Sequence, residues 1–163
     1  MANGGNLMAG KRGIIFGVAN NRSIAWGITK AVVDQGAEIA LTYQGDALKK
    51  RVEPLAAQSG AKFVLPCDVT DTASMDAVFA AAEKGWGGLV FIVHAVAFSD
   101  KDQLDGRYVD TTEENFAKTM AISCYSLTAM AKRAEPLMKD GGSIVTLTYY
   151  GAEKVMPHYN VMG

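Results

Sequence analysis

Five short apolar runs separated by four helix-length stretches constrain this chain more than anything else in it. The runs fall at about Arg12–Val18, Glu38–Tyr43, Lys62–Pro66, Leu89–Ala95 and Ser143–Thr148, and the stretches between them predict helices at about Ser23–Gln35, Asp46–Ser59, Thr72–Lys84 and Thr112–Lys139. Strand and helix in alternation build βαβ units, whose crossovers are right-handed. The expected architecture is therefore α/β: a doubly wound parallel sheet of order 3-2-1-4-5 with helices on both faces.

Turn chemistry supports these boundaries. Gly36 and Gly60 follow helix ends, and Gly85 to Gly88 bracket Trp86 before the fourth strand. The long fourth helix opens on Thr111-Thr112-Glu113-Glu114, a capping residue with acidic groups in the first turn. Phe116, Met120, Cys124, Leu127, Met130, Ala131, Ala134 and Leu137 recur at three and four, which predicts one buried face along its whole length. Phe98 to Asp110 is a polar loop at the edge where an open α/β sheet takes its ligand.

Composition excludes several classes of function. A formal net charge of −1 with interleaved acids and bases offers no basic face for nucleic acid. Met1 to Gly10 has no apolar core of signal length, and no run approaches the roughly eighteen apolar residues of a membrane span, so a cytoplasmic protein is expected. Cys67 and Cys124 stand far apart with no histidine at ligand spacing; neither a metal site nor a disulfide is expected, and both are assigned as buried thiols.

The first strand runs into Gly17-Val18-Ala19-Asn20-Asn21-Arg22-Ser23-Ile24-Ala25, a glycine turn leading to a helix N-terminus. Backbone N–H groups converging there can hold a pyrophosphate, provided the side chains are small. The spacing is not Gly-x-Gly-x-x-Gly, so a nucleotide cradle and a merely structural turn fit this loop equally well. At the end of the second strand Tyr43-Gln44 supplies neither the acid that would hold an adenine ribose nor the arginine that would hold its phosphate. Asp68-Val69, after the third strand, suits an adenine amino group; a helix-capping aspartate before Thr72 is the other reading.

Two tyrosines carry the remaining chemistry. Reaction at a carbonyl or enoyl group needs charge stabilised on oxygen, which a phenol within hydrogen-bond reach can do, and a nearby lysine lowers the cost. Tyr150-Gly151-Ala152-Glu153-Lys154 has the spacing Tyr-x-x-x-Lys but contains glycine and meets Pro157, which breaks the helix it needs. Tyr159 has Gly163 one turn on; a lysine two turns on, at position 166, would share its face to within about 20°.

With these motifs in view the chain resembles the FabI-type enoyl-[acyl-carrier-protein] reductases, divergent short-chain dehydrogenases/reductases. The resemblance extends over all 163 residues and is carried by Gly17 to Gly27, Thr42-Tyr43-Gln44, Cys67-Asp68-Val69, Asp102-Gln103-Leu104-Asp105-Gly106-Arg107-Tyr108, and Thr148 to Glu153 leading into Tyr159-Asn160-Val161-Met162-Gly163. It implies a single NAD(P)-binding, Rossmann-like domain over 1–163. It also implies reduction of the trans-2 double bond of enoyl thioesters on acyl carrier protein, the last step of fatty-acid elongation.

NADH is the cofactor implied, with NADPH less favoured. Gly17, Ser23 and Ile24 would meet the pyrophosphate, Gln44 the adenosine ribose, Asp68 and Val69 the adenine, and Ala95 the nicotinamide ribose. Tyr149 and Tyr159 are the catalytic residues implied; Ala97, Tyr149 and Met162 would line the substrate pocket. The family's Ser-Ile-Gly after His94 is here Ala95-Val96-Ala97, and His94 itself is assigned to packing rather than acid–base work.

A homotetramer with the fourth helix at one interface is further implied. The family's Tyr-x6-Lys spacing puts the lysine at 166, so the chain is expected to be C-terminally incomplete, without the later strands, and inactive by itself. An unpaired fifth-strand edge and an uncovered apolar helix face should follow. Two other readings stay open: a short-chain dehydrogenase acting on a ketone or alcohol through Tyr150 and Lys154, and a non-catalytic dinucleotide-binding module.

Overall fold

The computed structural model describes residues 5–163. Residues 1–4, which begin both the N-terminal stretch without a signal-length apolar core and the domain assigned to 1–163, lie outside the described residues. Five strands, β1 (Arg12–Phe16), β2 (Glu38–Tyr43), β3 (Phe63–Pro66), β4 (Phe91–His94) and β5 (Ser143–Thr146), pair in parallel in the order β3-β2-β1-β4-β5. Register sets Ile15 beside Leu41 and Phe16 beside His94, while Tyr43 meets Pro66 and His94 meets Thr146. All five C-terminal strand ends therefore share one edge.

Consecutive residues of β1 are buried to opposite sides. Ile14 and Phe16 join a core with Ile92, Phe79, Met130 and Trp86, whereas Ile15 joins Leu41, Val93, Trp26 and Val52. Period-two side-chain direction with both faces covered accounts for the continuous apolar runs. Each fully buried Ile or Leu contributes about 1.5–3 kcal/mol of hydrophobic stabilisation. Helices α1 (Ile24–Asp34) and α2 (Gly45–Ser59) cover the second core, and α3 (Thr72–Trp86) with α5 (Ser126–Ala134) covers the first.

The caps follow from local chemistry. Ser23 Oγ accepts from the Trp26 N–H at the start of α1, and Asp71, not Asp68, caps α3 by accepting from the Ala73 N–H at 2.9 Å. Gly60 and Gly87 close α2 and α3 in the left-handed region. Strands β1, β3, β4 and β5 are shorter than the apolar runs that predicted them, and Gly17 and Ala95, just past β1 and β4, line the cleft.

The long fourth helix is corrected. It consists of α4 (Glu113–Met120), a π turn over Ala121–Tyr125, α5, and a 3-10 turn over Glu135–Leu137. In its first half the buried positions are Asn115, Thr119 and Ser126, while Phe116 and Met120 are 44% and 40% exposed and Cys124 is exposed, not a buried thiol. Counting apolar residues misses a buried stripe made of polar ones, and the wider π turn interrupts the three-four spacing. Met130, Ala134 and Leu137 are buried as the pattern predicts. Ile144, Val145 and Leu147 on the edge strand and its exit are also open, at 38–47%.

Candidate functional site

A cleft of about 620 Å³ lies along the C-terminal strand edge, where the chain turns from β1 toward β2 on one side and from β3 across to β4 on the other. This is the switch point of an open parallel sheet. Gly17, Gln44, Asp68, Val69, Ala95 and Ala97 all line it. The segments after β1, β2, β3 and β4 thus converge because parallel pairing brings every strand exit to one rim.

Gly17 has φ +97°, and a Cβ there would run into the carbonyl of Ala95. The missing side chain lets β1 and β4 exits pack backbone to backbone, with the Ala95 N–H donating to Phe16 O at 3.2 Å. Ser23 and Ile24 sit at the head of α1 and are not among the lining residues. The Ser23 hydroxyl donates to Asn20 O at 2.8 Å, and Ile24 is 67% exposed.

Gln44 and Asp68 face each other across the cleft, with Gln44 Nε2 donating to Asp68 Oδ2 at 3.0 Å. Asp68 Oδ1 accepts from the Thr70 hydroxyl at 2.6 Å and from its N–H at 2.8 Å. The Thr70 hydroxyl, the largest influence, holds this carboxyl below its ordinary range against the opposing effect of burial, with lesser help from Gln44 and the Thr70 amide. Asp68 is therefore a fixed carboxylate with lone pairs available to a donor such as an exocyclic amino group. Beside it, burial and then the Asp68 charge push the Cys67 thiol up to about 11, which leaves it unreactive.

His94 is 1% exposed and ends β4, just before the cleft residue Ala95. Ser126 donates its proton to Ile122 O at 2.6 Å, so the 2.7 Å contact makes His94 Nε2 the donor to Ser126 Oγ; Nδ1 then accepts from the Thr146 hydroxyl at 3.0 Å. Burial lowers its pKa, keeping the ring neutral. It ties β4 to α5 and β5, as a packing role requires.

Tyr149 and Tyr159 do not line the cleft but meet each other, with ring centroids 4.5 Å apart. Their segment docks on the loop after β4: Asn160 Nδ2 donates to the carbonyls of Gln103 and Asp105 at 3.0 Å, and His158 pairs with Asp105. Met162 Sδ lies 4.0 Å from Ser123 Oγ, which is bonded to the backbone of the cleft residue Phe98. Tyr150 and Lys154 are both exposed; Tyr150 opens a single 3-10 turn that ends at Ala152, and Lys154 lies beyond it. No helix presents that pair.

Lys118 and Ile122 also line the cleft, though nothing in the apolar periodicity pointed to them. The available signal was the polar stripe Asn115, Thr119, Ser123, Ser126. Asp68 and Lys118 are the charged residues among the lining set, and a hydrogen bond to Asp100 raises the Lys118 pKa. Among the described residues no cluster of three or more His, Cys, Asp or Glu is placed to hold a metal, and no helix is long and apolar enough to cross a membrane.

The family profile described as Enoyl-(Acyl carrier protein) reductase matches residues 17–163. The chain belongs to this enoyl-(acyl carrier protein) reductase family. Within it, the chain is 69% identical over 163 residues to enoyl-[acyl-carrier-protein] reductase [NADH] 1 of Rhizobium meliloti, covering 100% of this chain and 60% of that protein. The crystal structure of the Anaplasma phagocytophilum enoyl-(acyl-carrier-protein) reductase in complex with NAD superposes with a TM-score of 0.95 at 62% identity, over 98% of this chain and 61% of that one. The Bacillus cereus enoyl-acyl carrier protein reductase, solved with NADP+ and indole naphthyridinone, gives a TM-score of 0.94 at 42% identity, over 97% of this chain and 62% of that one. The chain thus spans about 60% of the length of the family relatives it matches.

Proposed function

We propose that this chain serves in the NADH-dependent reduction of the trans-2 double bond of enoyl thioesters carried on acyl carrier protein. The observation that carries the reading is the pair of phenols at 4.5 Å, docked through Met162 and Ser123 against the rim of a dinucleotide-sized cleft. The residues fit the cofactor. Gly17 offers the backbone cradle a Cβ would fill, Gln44 the ribose contact, Asp68 and Val69 the adenine contact, and Ala95 the nicotinamide side. Ser23 and Ile24 head the helix whose N-terminus would face the pyrophosphate.

NADH, when bound, supplies the hydride for the β-carbon. The Tyr159 hydroxyl would then stabilise the enolate oxygen of the thioester by a hydrogen bond until the α-carbon takes up a proton from solvent, and Tyr149 packs against Tyr159 to fix its ring. Ala97 and Met162 would flank the acyl chain. Preference for NADH over NADPH is supported by Gln44 at the end of β2, whose amide is bonded to Asp68, while Lys118, the cation of the cleft lining, is paired with Asp100.

The test uses the full-length gene product. Tyr159→Phe should lower turnover of crotonyl thioester about 10²–10³-fold, the usual effect of deleting one such hydrogen bond, with NADH affinity little changed. Unchanged turnover would remove Tyr159 from the reaction and sink the reading. A Lys154→Ala change more damaging than Tyr159→Phe would favour the alcohol dehydrogenase reading, which the exposure of Tyr150 and Lys154 does not support. NADH binding without consumption would favour a non-catalytic module.

A cytoplasmic homotetramer acting on acyl carrier protein completes the proposal. Exposed Phe116, Met120 and Tyr125 on the fourth helical segment support an interface there. Light scattering of the full-length gene product checks the assembly.

A further inference from the structure

Three successive residues of the cleft rim are held by one face of a single helical segment. Ser123 Oγ accepts from the Phe98 N–H at 3.0 Å and donates to the Phe98 carbonyl at 3.1 Å. Ser99 Oγ accepts from Thr119 Oγ1 at 2.9 Å and from Asn115 Nδ2 at 3.1 Å, and Asn115 Oδ1 accepts from the Asp100 N–H at 3.0 Å. Lys118 Nζ donates to the Asp100 carboxylate at 2.8 Å and lies 5.9 Å from the centre of the Phe98 ring.

Asn115 and Thr119 are each 2% exposed. Burying an amide or hydroxyl is costly unless it is partnered, and apolar residues there would instead strand Ser99 Oγ and the Asp100 N–H. The stripe therefore specifies one conformation of the rim rather than adding bulk to the core. Phe98 and Lys118 both line the cleft, and Phe98 stays 45% exposed at its mouth.

We propose that Asn115 and Lys118 are positioning residues for the acyl substrate, holding Phe98–Asp100 as the cleft rim and so fixing how the thioester passes Phe98. This rests on the enoyl-thioester reading above. Neither residue touches reacting atoms.

The experiment compares Asn115→Leu, Lys118→Met and Lys118→Arg with wild type in the full-length gene product, reading NADH Kd by fluorescence, and kcat and KM for crotonyl and octenoyl thioesters. For Asn115→Leu, a buried residue outside the cleft lining, loss of these bonds should raise KM about fivefold or more while kcat and NADH Kd stay within about twofold, and Lys118→Met should raise KM by a similar factor. Lys118→Arg should restore most of the wild-type KM, and the Asp100 amide should exchange faster with solvent in Asn115→Leu.

Normal wild-type turnover with unchanged KM in the variants overturns this inference alone. Parallel loss of kcat, NADH binding and exchange protection across the sheet assigns a general folding role and overturns it too. Absence of wild-type turnover sinks the enoyl-thioester reading, and this inference with it. Should Asn115→Leu not fold, Lys118→Met and Asp100→Asn give the same readouts from partly exposed positions.

Discussion

The rings of Tyr149 and Tyr159 lie 4.5 Å apart between centroids, their planes inclined by 43°. The intervening chain returns through Pro157 and His158, whose φ is 59°, and just past Tyr159 the chain turns again at Asn160, with φ 32°. Asparagine tolerates this region better than most residues, and here its amide is held by the carbonyls of Gln103 and Asp105. The loop after β4 is thus what brings the phenols together.

The two rings should be energetically coupled. A double-mutant cycle with Tyr149→Ala and Tyr159→Ala, read by chemical denaturation, should give about 0.5 kcal/mol, the low end for aromatic pairs because Tyr149 is 42% exposed. In an Asn160→Ala background the coupling should fall toward zero. Coupling that survives Asn160→Ala would mean that the loop does not hold the pair.

Gly17 and Gly27 should answer oppositely to alanine. Gly17→Ala puts a side chain at φ +97° and into the Ala95 carbonyl, costing about 1–3 kcal/mol from backbone strain alone and weakening dinucleotide binding as the β4 exit is displaced. Gly27, inside α1, has open space where an alanine methyl would stand, with no neighbour within 4 Å, so Gly27→Ala should stabilise by about 0.5–1 kcal/mol through helix propensity. Urea denaturation of both variants measures this, and a neutral Gly17→Ala would contradict the close approach of β1 to β4.

Stability should fall on mild acidification because of His94. Burial lowers its pKa in the fold, whereas the unfolded chain keeps the ordinary value near 6.5, so below that pH the unfolded state binds the extra proton. The stabilisation is complete above about pH 6.5 and is lost progressively as pH falls through the window down to the depressed folded value. Thermal melts of His94→Gln should lose this part of the pH dependence; a wild-type melting temperature flat across the window would refute it.

Strand order, helix faces and the capping glycines were legible in the sequence because they rest on local rules: period-two burial in β1, and glycine at positions 36, 60 and 87 with φ of +92°, +67° and +72°. Asp68 was legible from its place after the third strand, whereas Gln44 and Ala95 were named only through the family resemblance; parallel topology delivers all three strand exits to one edge. The first half of the fourth helix was not, since hydrophobic counting assumes an apolar buried face. Asn115, Thr119 and Ser126 are buried there, satisfied by Ser99, Asp100 and His94, partners 15 to 32 residues away.

The sequence by itself determined the doubly wound sheet, its order and the location of its cleft, because side-chain periodicity and turn residues act within a few positions of the chain. Only the tertiary structure decided that Tyr149 meets Tyr159, that Asp71 rather than Asp68 caps α3, and that Lys118 reaches the cleft. The first and third depend on contacts between segments that no local pattern brings together; the second is settled by the turn from Asp68 to Asp71, whose geometry the sequence left open.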